Sequence, residues 1–158
     1  MASRTSAGIL LYRRRGAGIE VLLGHPGGPF GRLRDHGHWT IPKGEVEPDE
    51  ELLAVGLREF AEETGHPVPD GPREPLGTSR QKGGKLVYAW AVEGDLDPAR
   101  ARSNTFRMEW PPRTGRIEEF PEIDRVAWFT VEDAHAWIKD AQAAFLDRLL
   151  EALAGPPS

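Results

Sequence analysis

The sequence lacks features that mark several common protein classes. It contains no cysteine, which excludes a disulfide framework and a thiolate zinc site and makes a reducing cytoplasm the expected location. No apolar run approaches the roughly 18 residues of a membrane span, and the N-terminus has no charged-then-apolar signal pattern. We therefore expect a protein that is neither exported nor embedded in a membrane.

Positive charge is also in short supply. The chain has 20 basic and 25 acidic residues, and its formal net charge is -5. A general nucleic-acid binder needs a basic surface that displaces phosphate counterions, so this class is disfavoured, although a small polyanion could still bind at a local site. The 158 residues suit one domain, expected over residues 1–154 with a short tail at 155–158, as a monomer or a homodimer.

Glycine and proline, by contrast, are abundant, with 18 and 14 copies. This content exceeds average usage without reaching that of disordered chains, so it predicts long ordered loops. The longest such stretch, residues 24–38, has no hydrophobic periodicity and carries His25, His36 and His38. These histidines could bind a metal, but no fourth ligand at zinc spacing accompanies them, and a solvated glycine-rich loop is favoured.

Short apolar runs bounded by turn residues predict strands, the first two of which should form a hairpin. The predicted strands occupy residues 6–13, 19–25, 85–92, 104–110 and 125–130. In the fourth, Phe106, Met108 and Trp110 alternate onto one face. Residues 111–124 are rich in proline and are predicted to be a loop. Residues 131–154 are predicted to be one helix, with buried positions at Trp137, Phe145, Leu149 and Leu153.

The other predicted helix begins near Asp49, a favoured N-cap residue, and ends at Gly65. Its core-facing stripe consists of Leu53, Leu57, Phe60 and Thr64. Three acids, Glu59, Glu62 and Glu63, share another face that is predicted to point away from the core. Each like-charged pair costs about 0.2–0.5 kcal/mol, so this helix needs a compensating positive charge unless its acids are simply solvated.

The segment around this helix resembles the signature of the Nudix hydrolases, G-x5-E-x7-R-E-U-x-E-E-x-G-U, where U is a bulky aliphatic residue. The matching residues are Gly44, Glu50, Arg58, Glu59, Glu62, Glu63 and Gly65. Phe60 and His66 depart from the aliphatic positions of the pattern. Because the seven matches are in register, they favour a metal-binding face over an ordinary solvated acidic face.

The resemblance implies an α/β fold, a Nudix-like α/β/α sandwich with a central mixed β-sheet. It also implies a bound Mg²⁺ or Mn²⁺, hard cations that prefer oxygen ligands. Glu59, Glu62 and Glu63 would contact the metal directly or through water, with Gly44 also at the metal site. Glu50 and Arg58 would form an ion pair that orients the loop and the helix during catalysis.

The activity implied by this resemblance is metal-dependent hydrolysis of a phosphoanhydride bond in a nucleoside diphosphate derivative. The segment WTIPKG, residues 39–44, resembles that of Nudix members that act on dinucleoside polyphosphates and diphosphoinositol polyphosphates. A dinucleoside polyphosphate is therefore the first expectation. The alternatives are a diphosphoinositol polyphosphate, a nucleoside triphosphate or ADP-ribose, or a binding module without catalysis, which the complete acidic set disfavours.

Several residues outside the signature are candidates for binding the substrate. Lys43 would place a flexible positive charge beside the acidic helix, unless it is a solvated loop lysine. Arg80, Lys82 and Lys85 flank a Gly-Gly turn and could contact distal phosphates, although solvated hairpin charges are common. The aromatic candidates for stacking on a base are Tyr88, Trp90 and Trp110, and aromatic residues on strands more often belong to the core.

The general base is expected on a loop near the acidic helix. In several Nudix hydrolases it resembles a glutamate a few residues before a late strand that contains a tryptophan, here residues 125–130 with Trp128. This placement selects Glu122 first, with Glu118 and Glu119 as alternatives. An ordinary solvated acidic loop would also account for these three carboxylates.

Overall fold

A mixed six-stranded sheet organises the chain in the computed structural model, which describes residues 4–31 and 33–155. The strands are β1 (Thr5–Arg15), β2 (Gly18–Pro26), β3 (Lys43–Glu45), β4 (Glu74–Arg80), β5 (Leu86–Glu93), β6 (Thr105–Glu109), β7 (Ile117–Pro121) and β8 (Ile123–Thr130). The helices are α1 (Gly28–Gly31), α2 (Leu52–Thr64), α3 (Val131–Trp137) and α4 (Ala143–Ala154). The main sheet has the order β4-β5-β1-β2-β8, β3 pairs with β1, and β6 and β7 form a separate two-stranded ribbon.

The predicted hairpin of β1 and β2 is present, but its two strands separate toward the site. They pair from Tyr12 to Arg15 on β1, and closer to the start of β1 the partner is instead β3, with Gly8 opposite Lys43. Gly8 permits this approach because a Cβ there would lie 2.6 Å from the carbonyl oxygen of Pro42. Strand β3 therefore places Lys43 and Gly44 between the sheet and helix α2.

Each face of the sheet carries its own hydrophobic core. On one face Phe60 of α2 packs with Ile9, Leu11 and Leu22. On the other face the side chains of α4, including Phe145, pack with residues of β1 and β2 and with Ala134 of α3. Because helices cover both faces of a mixed sheet, the predicted α/β/α sandwich is confirmed. None of the described helices is both long enough and apolar enough to cross a lipid bilayer.

The acidic helix begins later than predicted. Its N-cap is Glu51 rather than Asp49, and the helix starts at Leu52 without a side-chain cap. The reason lies at Glu50, whose carboxylate accepts hydrogen bonds from the backbone N–H of Glu47 and from Arg58, so this residue remains in the preceding turn. The predicted end of the helix at Gly65 is confirmed, since Gly65 adopts a left-handed conformation with φ 76°.

Two other segments differ from the sequence prediction. The predicted loop at 111–124 contains β7, because proline-rich composition concealed the pairing of Phe120 with Phe106. The predicted helix at 131–154 is broken between α3 and α4, because Ile138 is extended and bridges Trp39. Strands β3 and β4 were not predicted, and loop 24–38 contains the end of β2 and α1. Of the predicted tail, residues 156–158 lie outside the described residues.

Candidate active site

Helix α2 packs on the sheet at Gly56, where a Cβ would lie in van der Waals contact with the backbone of Gly8. Val55 and Phe60 of this helix are buried, and its three acids lie at different depths. Glu63 is 7% exposed, Glu59 is half-buried and Glu62 is exposed. The prediction that all three acids point away from the core was therefore wrong for Glu63, because β3 covers the flank of α2 on which it lies.

Glu59 and Glu63 form a buried pair of carboxyl groups beside Gly44. A Cβ on Gly44 would collide with the carboxyl group of Glu59, so a larger residue at this position would displace that carboxyl. The Glu63 carboxyl lies close enough to Glu59 and to Lys43 for both residues to influence its pKa. Burial, followed by the charge of Glu59, raises the pKa of Glu63 to about 8.

The half-buried Glu59 is affected in the same direction. Burial and then the charge of Glu62 raise the pKa of the Glu59 carboxyl above its ordinary value. A pair of desolvated carboxyls sharing a proton is the arrangement expected where acids are held together without a cation between them. The carboxyl oxygens of this pair suit a hard divalent cation. Because Gly44 has no side chain, the Glu59 carboxyl can occupy the space beside it.

The predicted metal ligands are not gathered into a closed cluster. Among residues 4–31 and 33–155, no three His, Cys, Asp or Glu side chains converge as a ready metal site. Glu62 is drawn toward Arg58, with 3.7 Å between their charged atoms, so its carboxylate must turn away from Arg58 to join Glu59 and Glu63. The structure therefore brings two of the three predicted metal ligands together and leaves the third beside them.

Arg58 and Glu50 form the expected ion pair. The guanidinium donates to the Glu50 carboxylate at 2.5 Å, and this hydrogen bond, together with one from the backbone of Glu47, lowers the pKa of Glu50. Arg58 also lies 3.6 Å from Glu59. Since the pair is exposed, its contribution to stability is small, and its main effect is to tie the turn before α2 to the acidic face.

Of the three candidates for the general base, Glu122 is the one whose charge affects the pKa of Glu63. Its backbone is fixed on both sides, because its N–H donates to Asn104 at 2.9 Å and its carbonyl accepts from Gly27 at 3.0 Å. The charge of Glu122 contributes to raising the pKa of Glu63, so the two carboxyls interact electrostatically. Although Glu122 is classed as exposed overall, its carboxyl is partly desolvated, and this raises its own pKa.

The two alternative bases have other partners on the β6–β7 ribbon. Glu118 accepts from Arg116 at 3.1 Å, and Glu119 accepts from the hydroxyl of Thr105 at 2.6 Å. Both carboxylates are therefore engaged at the surface of the ribbon.

The basic side chains that are predicted to bind the substrate lie at one end of the sheet. Burial, followed by the charge of Lys139, lowers the pKa of Lys43, and the nearby carboxylate of Glu63 partly offsets this. Arg80, Lys82 and Lys85 line a neighbouring cavity of about 690 Å³. Lys139 also lines this cavity, and sequence analysis missed it because it falls inside the predicted helix at 131–154.

The aromatic candidates, in contrast, are spread over the molecule. Tyr88 lines a cavity of about 610 Å³ beside Glu50 and the start of α2. Trp90 packs partly buried against the core beneath α2. Trp110 lies beyond β6, in edge contact with Phe30 at a ring distance of 5.3 Å. The structure therefore gives Tyr88 a position near the acidic helix and does not bring it together with Trp110.

The three histidines considered as metal ligands also separate. His25 is buried and is hydrogen-bonded through Nδ1 to Asp124 at 2.8 Å and through Nε2 to the carbonyl of Arg34. His36 stacks on Trp137 at 3.9 Å, and together with His38 it lines the cavity of Lys82 and Lys85. His25 is thus a satisfied buried histidine, while the other two belong to the basic cavity.

The buried acid pair predicts a specific dependence of stability on pH. Because the pKa of Glu63 is about 8 when folded and near 4.5 when unfolded, the folded state retains a proton that the unfolded state loses. The free energy of unfolding therefore decreases as the pH rises from 4.5 to 8. In urea unfolding without metal, Glu63→Gln should have a free energy of unfolding up to a few kcal/mol higher than that of wild type across this pH range. Glu62→Gln should differ little from wild type. Parallel wild-type and Glu63→Gln curves would contradict the buried pair.

Comparison with known proteins places this geometry in context. A family model for the NUDIX domain matches residues 2–149. Asymmetrical bis(5'-nucleosyl)-tetraphosphatase from Rattus norvegicus is 43% identical over 61 residues, which cover 35% of this chain and 42% of that protein. The same protein from Sus scrofa is 32% identical over 99 residues, covering 56% and 63% respectively. The alignments therefore span less than two thirds of either relative.

A solved structure resembles the chain over nearly its full length. The crystal structure of a C. elegans Ap4A hydrolase binary complex has a TM-score of 0.62 and 25% sequence identity. The superposition covers 97% of this chain and 99% of that one.

Proposed function

The chain belongs to the NUDIX domain family, and from this membership we propose that it is a divalent-metal-dependent hydrolase of a phosphoanhydride bond in a nucleoside diphosphate derivative. The observation that carries the proposal is the desolvated pair of Glu59 and Glu63 beside Gly44. These two acids are held at a cost in electrostatic energy that a cation would remove. A domain that only bound nucleotides would have no need for this arrangement.

Mg²⁺ or Mn²⁺ is the cofactor that these donors fit. Glu59 and Glu63 would hold it, with Gly44 at the same site and Glu62 joining directly or through water. When bound, the metal would polarise the phosphate oxygens and lower the pKa of a water molecule. Arg58 and Glu50 would keep the turn before α2 in place, so that Glu59 stays aligned with Glu63.

The remaining steps fall to residues outside helix α2. Lys43 would neutralise a phosphate oxygen, since its ammonium is buried beside the acidic pair. As the oxygen of a water molecule bonds to phosphorus, the bridging P–O bond breaks, and Glu122 would take the proton of that water. The raised pKa of Glu122 suits this role because a general base works best when its pKa approaches the working pH.

The substrate that we propose is a dinucleoside polyphosphate such as Ap4A. Both curated relatives described above are asymmetrical tetraphosphatases, and the C. elegans protein is an Ap4A hydrolase. The segment WTIPKG and the adjacent basic cavity support the same substrate class. A diphosphoinositol polyphosphate, a nucleoside triphosphate and ADP-ribose are the alternatives, and these relatives do not favour them.

The test is a comparison of kcat/KM values for four substrates in the presence of Mg²⁺: Ap4A, ATP, ADP-ribose and a diphosphoinositol polyphosphate. We expect the value for Ap4A to exceed that for ATP, because Ap4A has the longest linear phosphate chain of the four compounds and can therefore make more contacts with Lys43 and the basic cavity. A clear preference for any of the other three compounds would refute the proposed substrate.

A further inference from the structure

Residues 102–104, which we call the bridge segment, connect the last turn of α2 with the junction of β7 and β8. The N–H of Arg102 donates to the carbonyl of Thr64 at 2.8 Å. The N–H of Asn104 donates to the carbonyl of Glu62 at 2.7 Å. Both carbonyls belong to the last turn of α2, where an α-helix offers no N–H donor of its own. The bridge segment therefore closes the end of the helix that carries the acidic residues.

Gly65 allows the bridge segment to lie this close to α2. A Cβ at Gly65 would be only 2.8 Å from the carbonyl oxygen of Arg102, which is too short for a side-chain carbon and a backbone oxygen. The last glycine of the signature thus ends the helix and also leaves room for the bridge segment beside it.

The bridge segment also fixes the backbone at Glu122. The carbonyl of Asn104 accepts from the N–H of Glu122 at 2.9 Å. The hydroxyl of Ser103 accepts from the N–H of the next residue, Ile123, at 3.0 Å. Because Gly27, in the turn before α1, donates to the carbonyl of Glu122, three successive backbone groups at this position are hydrogen-bonded.

Ser103 joins these hydrogen bonds through its side chain. Its hydroxyl donates to the carbonyl of Asn104 at 2.9 Å, and this is the carbonyl that accepts from Glu122. The same hydroxyl oxygen accepts from Ile123, which is buried. Without the hydroxyl, the N–H of Ile123 would lose this acceptor, at a cost that favours a shift of the neighbouring backbone. Of the links described, that of Ser103 can be removed by substitution, because the others join backbone atoms.

The bridge segment sets the position of Glu122 relative to α2. One residue, Asn104, bonds Glu62 of α2 through its N–H and Glu122 through its carbonyl. A general base contributes only when it is held within hydrogen-bond reach of the proton that it removes. The proposed reaction therefore depends on a spacing that is transmitted through a single residue.

We propose that Ser103 is a positioning residue, which holds Glu122 at its working distance from the acidic helix through the bridge segment. The inference rests on the proposed function, in which Glu122 takes a proton from the attacking water. Ser103 acts on the backbone of Glu122 and leaves the chemistry of its carboxylate unchanged. Loss of the hydroxyl should therefore slow proton transfer and affect the binding of substrate and metal little.

Ser103→Ala should lower kcat by about 10- to 100-fold, because a misplacement of about 1 Å can cost about 10²-fold in rate. The rates are measured in Mg²⁺ with Ap4A, or with whichever of the four compounds is cleaved fastest. KM and the Mg²⁺ concentration that gives half-maximal activity should each change less than about twofold. Ser103→Thr keeps the hydroxyl and should stay within about threefold of wild type. Thr114→Ala is the matched control and should equal wild type, because its hydroxyl bonds the backbone of Pro111 in the turn at the other end of the ribbon.

A double variant separates positioning of Glu122 from a general structural effect. In Glu122→Gln no carboxylate base remains to be positioned, so adding Ser103→Ala should lower kcat by less than about twofold further. The same fold-loss of kcat in both backgrounds would overturn the proposal, and so would a loss that appears in KM or in the Mg²⁺ requirement. Wild-type kcat in Ser103→Ala or in Glu122→Gln would overturn it as well.

Amide hydrogen exchange, measured by NMR, tests the bridge segment without any catalytic step. In Ser103→Ala the amides of Glu122 and Ile123 should exchange at least about tenfold faster than in wild type, while those of α4 should be unaffected. If Ser103→Ala does not fold, Ser103→Cys replaces it, because its thiol is similar in size and a weak acceptor. Unchanged exchange at both amides would overturn the proposal whatever the activity. Faster exchange in a protein whose wild type cleaves none of the four compounds would instead support the bridge segment and contradict the proposed function.

Discussion

Glu63→Gln is expected to lower turnover at least about 10²-fold while the protein remains folded, and Glu59→Gln should behave similarly. Each substitution removes a charged oxygen from the buried pair beside Gly44, where the proposed cation would lie. A glutamine has nearly the same shape as glutamate, so packing against β3 is preserved. Replacement of an acid whose neutral form is already favoured by burial should not destabilise the protein without metal.

Two readouts distinguish loss of the metal from loss of the fold. Thermal unfolding of wild type should shift upward when Mg²⁺ is added, because a ligand that binds only the native state stabilises it, and the shift should be smaller in Glu63→Gln. Glu151→Gln, an exposed acid on α4, is the control and should match wild type in both measurements. Wild-type activity in Glu63→Gln or Glu59→Gln would refute the assignment of these acids.

Glu122→Gln is expected to lower kcat by about 10²–10⁴ with little change in the Mg²⁺ concentration that gives half-maximal activity. The reason is that Glu122 lies at the junction of β7 and β8, where its charge acts on Glu63, and that it is outside the predicted ligand set. Initial rates at saturating substrate, measured over a series of Mg²⁺ concentrations, would separate loss of proton transfer from loss of metal.

The neighbouring acids are the matched controls for this prediction. Glu118→Gln and Glu119→Gln should change kcat little, because these carboxylates are engaged by Arg116 and Thr105 on the ribbon. A loss below threefold for Glu122→Gln, together with a large loss for Glu119→Gln, would move the role to Glu119. Small losses in all three variants would leave proton transfer to an acid of α2 or to solvent.

The signature at residues 44–65 was sufficient to indicate the family, and the resemblance to that family implied the sandwich fold and the pair of Arg58 and Glu50. The signature is recognisable because its residues lie close in sequence, where a helix or a turn converts spacing directly into proximity. The depth of Glu63 could not be predicted in this way. It depends on β3, a strand of three residues that pairs with β1 across nearly 40 residues of sequence, and its own composition gives no strand signal.

The cavity lined by Arg80, Lys82, Lys85 and Lys139 was only half predictable for a related reason. Arg80, Lys82 and Lys85 drew attention because they flank a Gly-Gly turn, but Lys139 falls in a segment with helical periodicity on both sides. The helix breaks there because Ile138 pairs with Trp39, a contact that becomes visible only when distant segments are brought together. The expectations of a single domain, of a cytoplasmic location and of a monomer or homodimer stay predictions.

The most direct test of the central claim is hydrolysis of Ap4A by the wild-type chain with and without divalent metal, with products separated by ion-exchange chromatography. The account predicts that Mg²⁺ permits release of ATP and AMP, the products of asymmetric cleavage of Ap4A. It also predicts that a chelator stops the reaction. Equal hydrolysis in Mg²⁺ and in chelator, or a folded protein that cleaves no phosphoanhydride in Mg²⁺ or Mn²⁺, would contradict it.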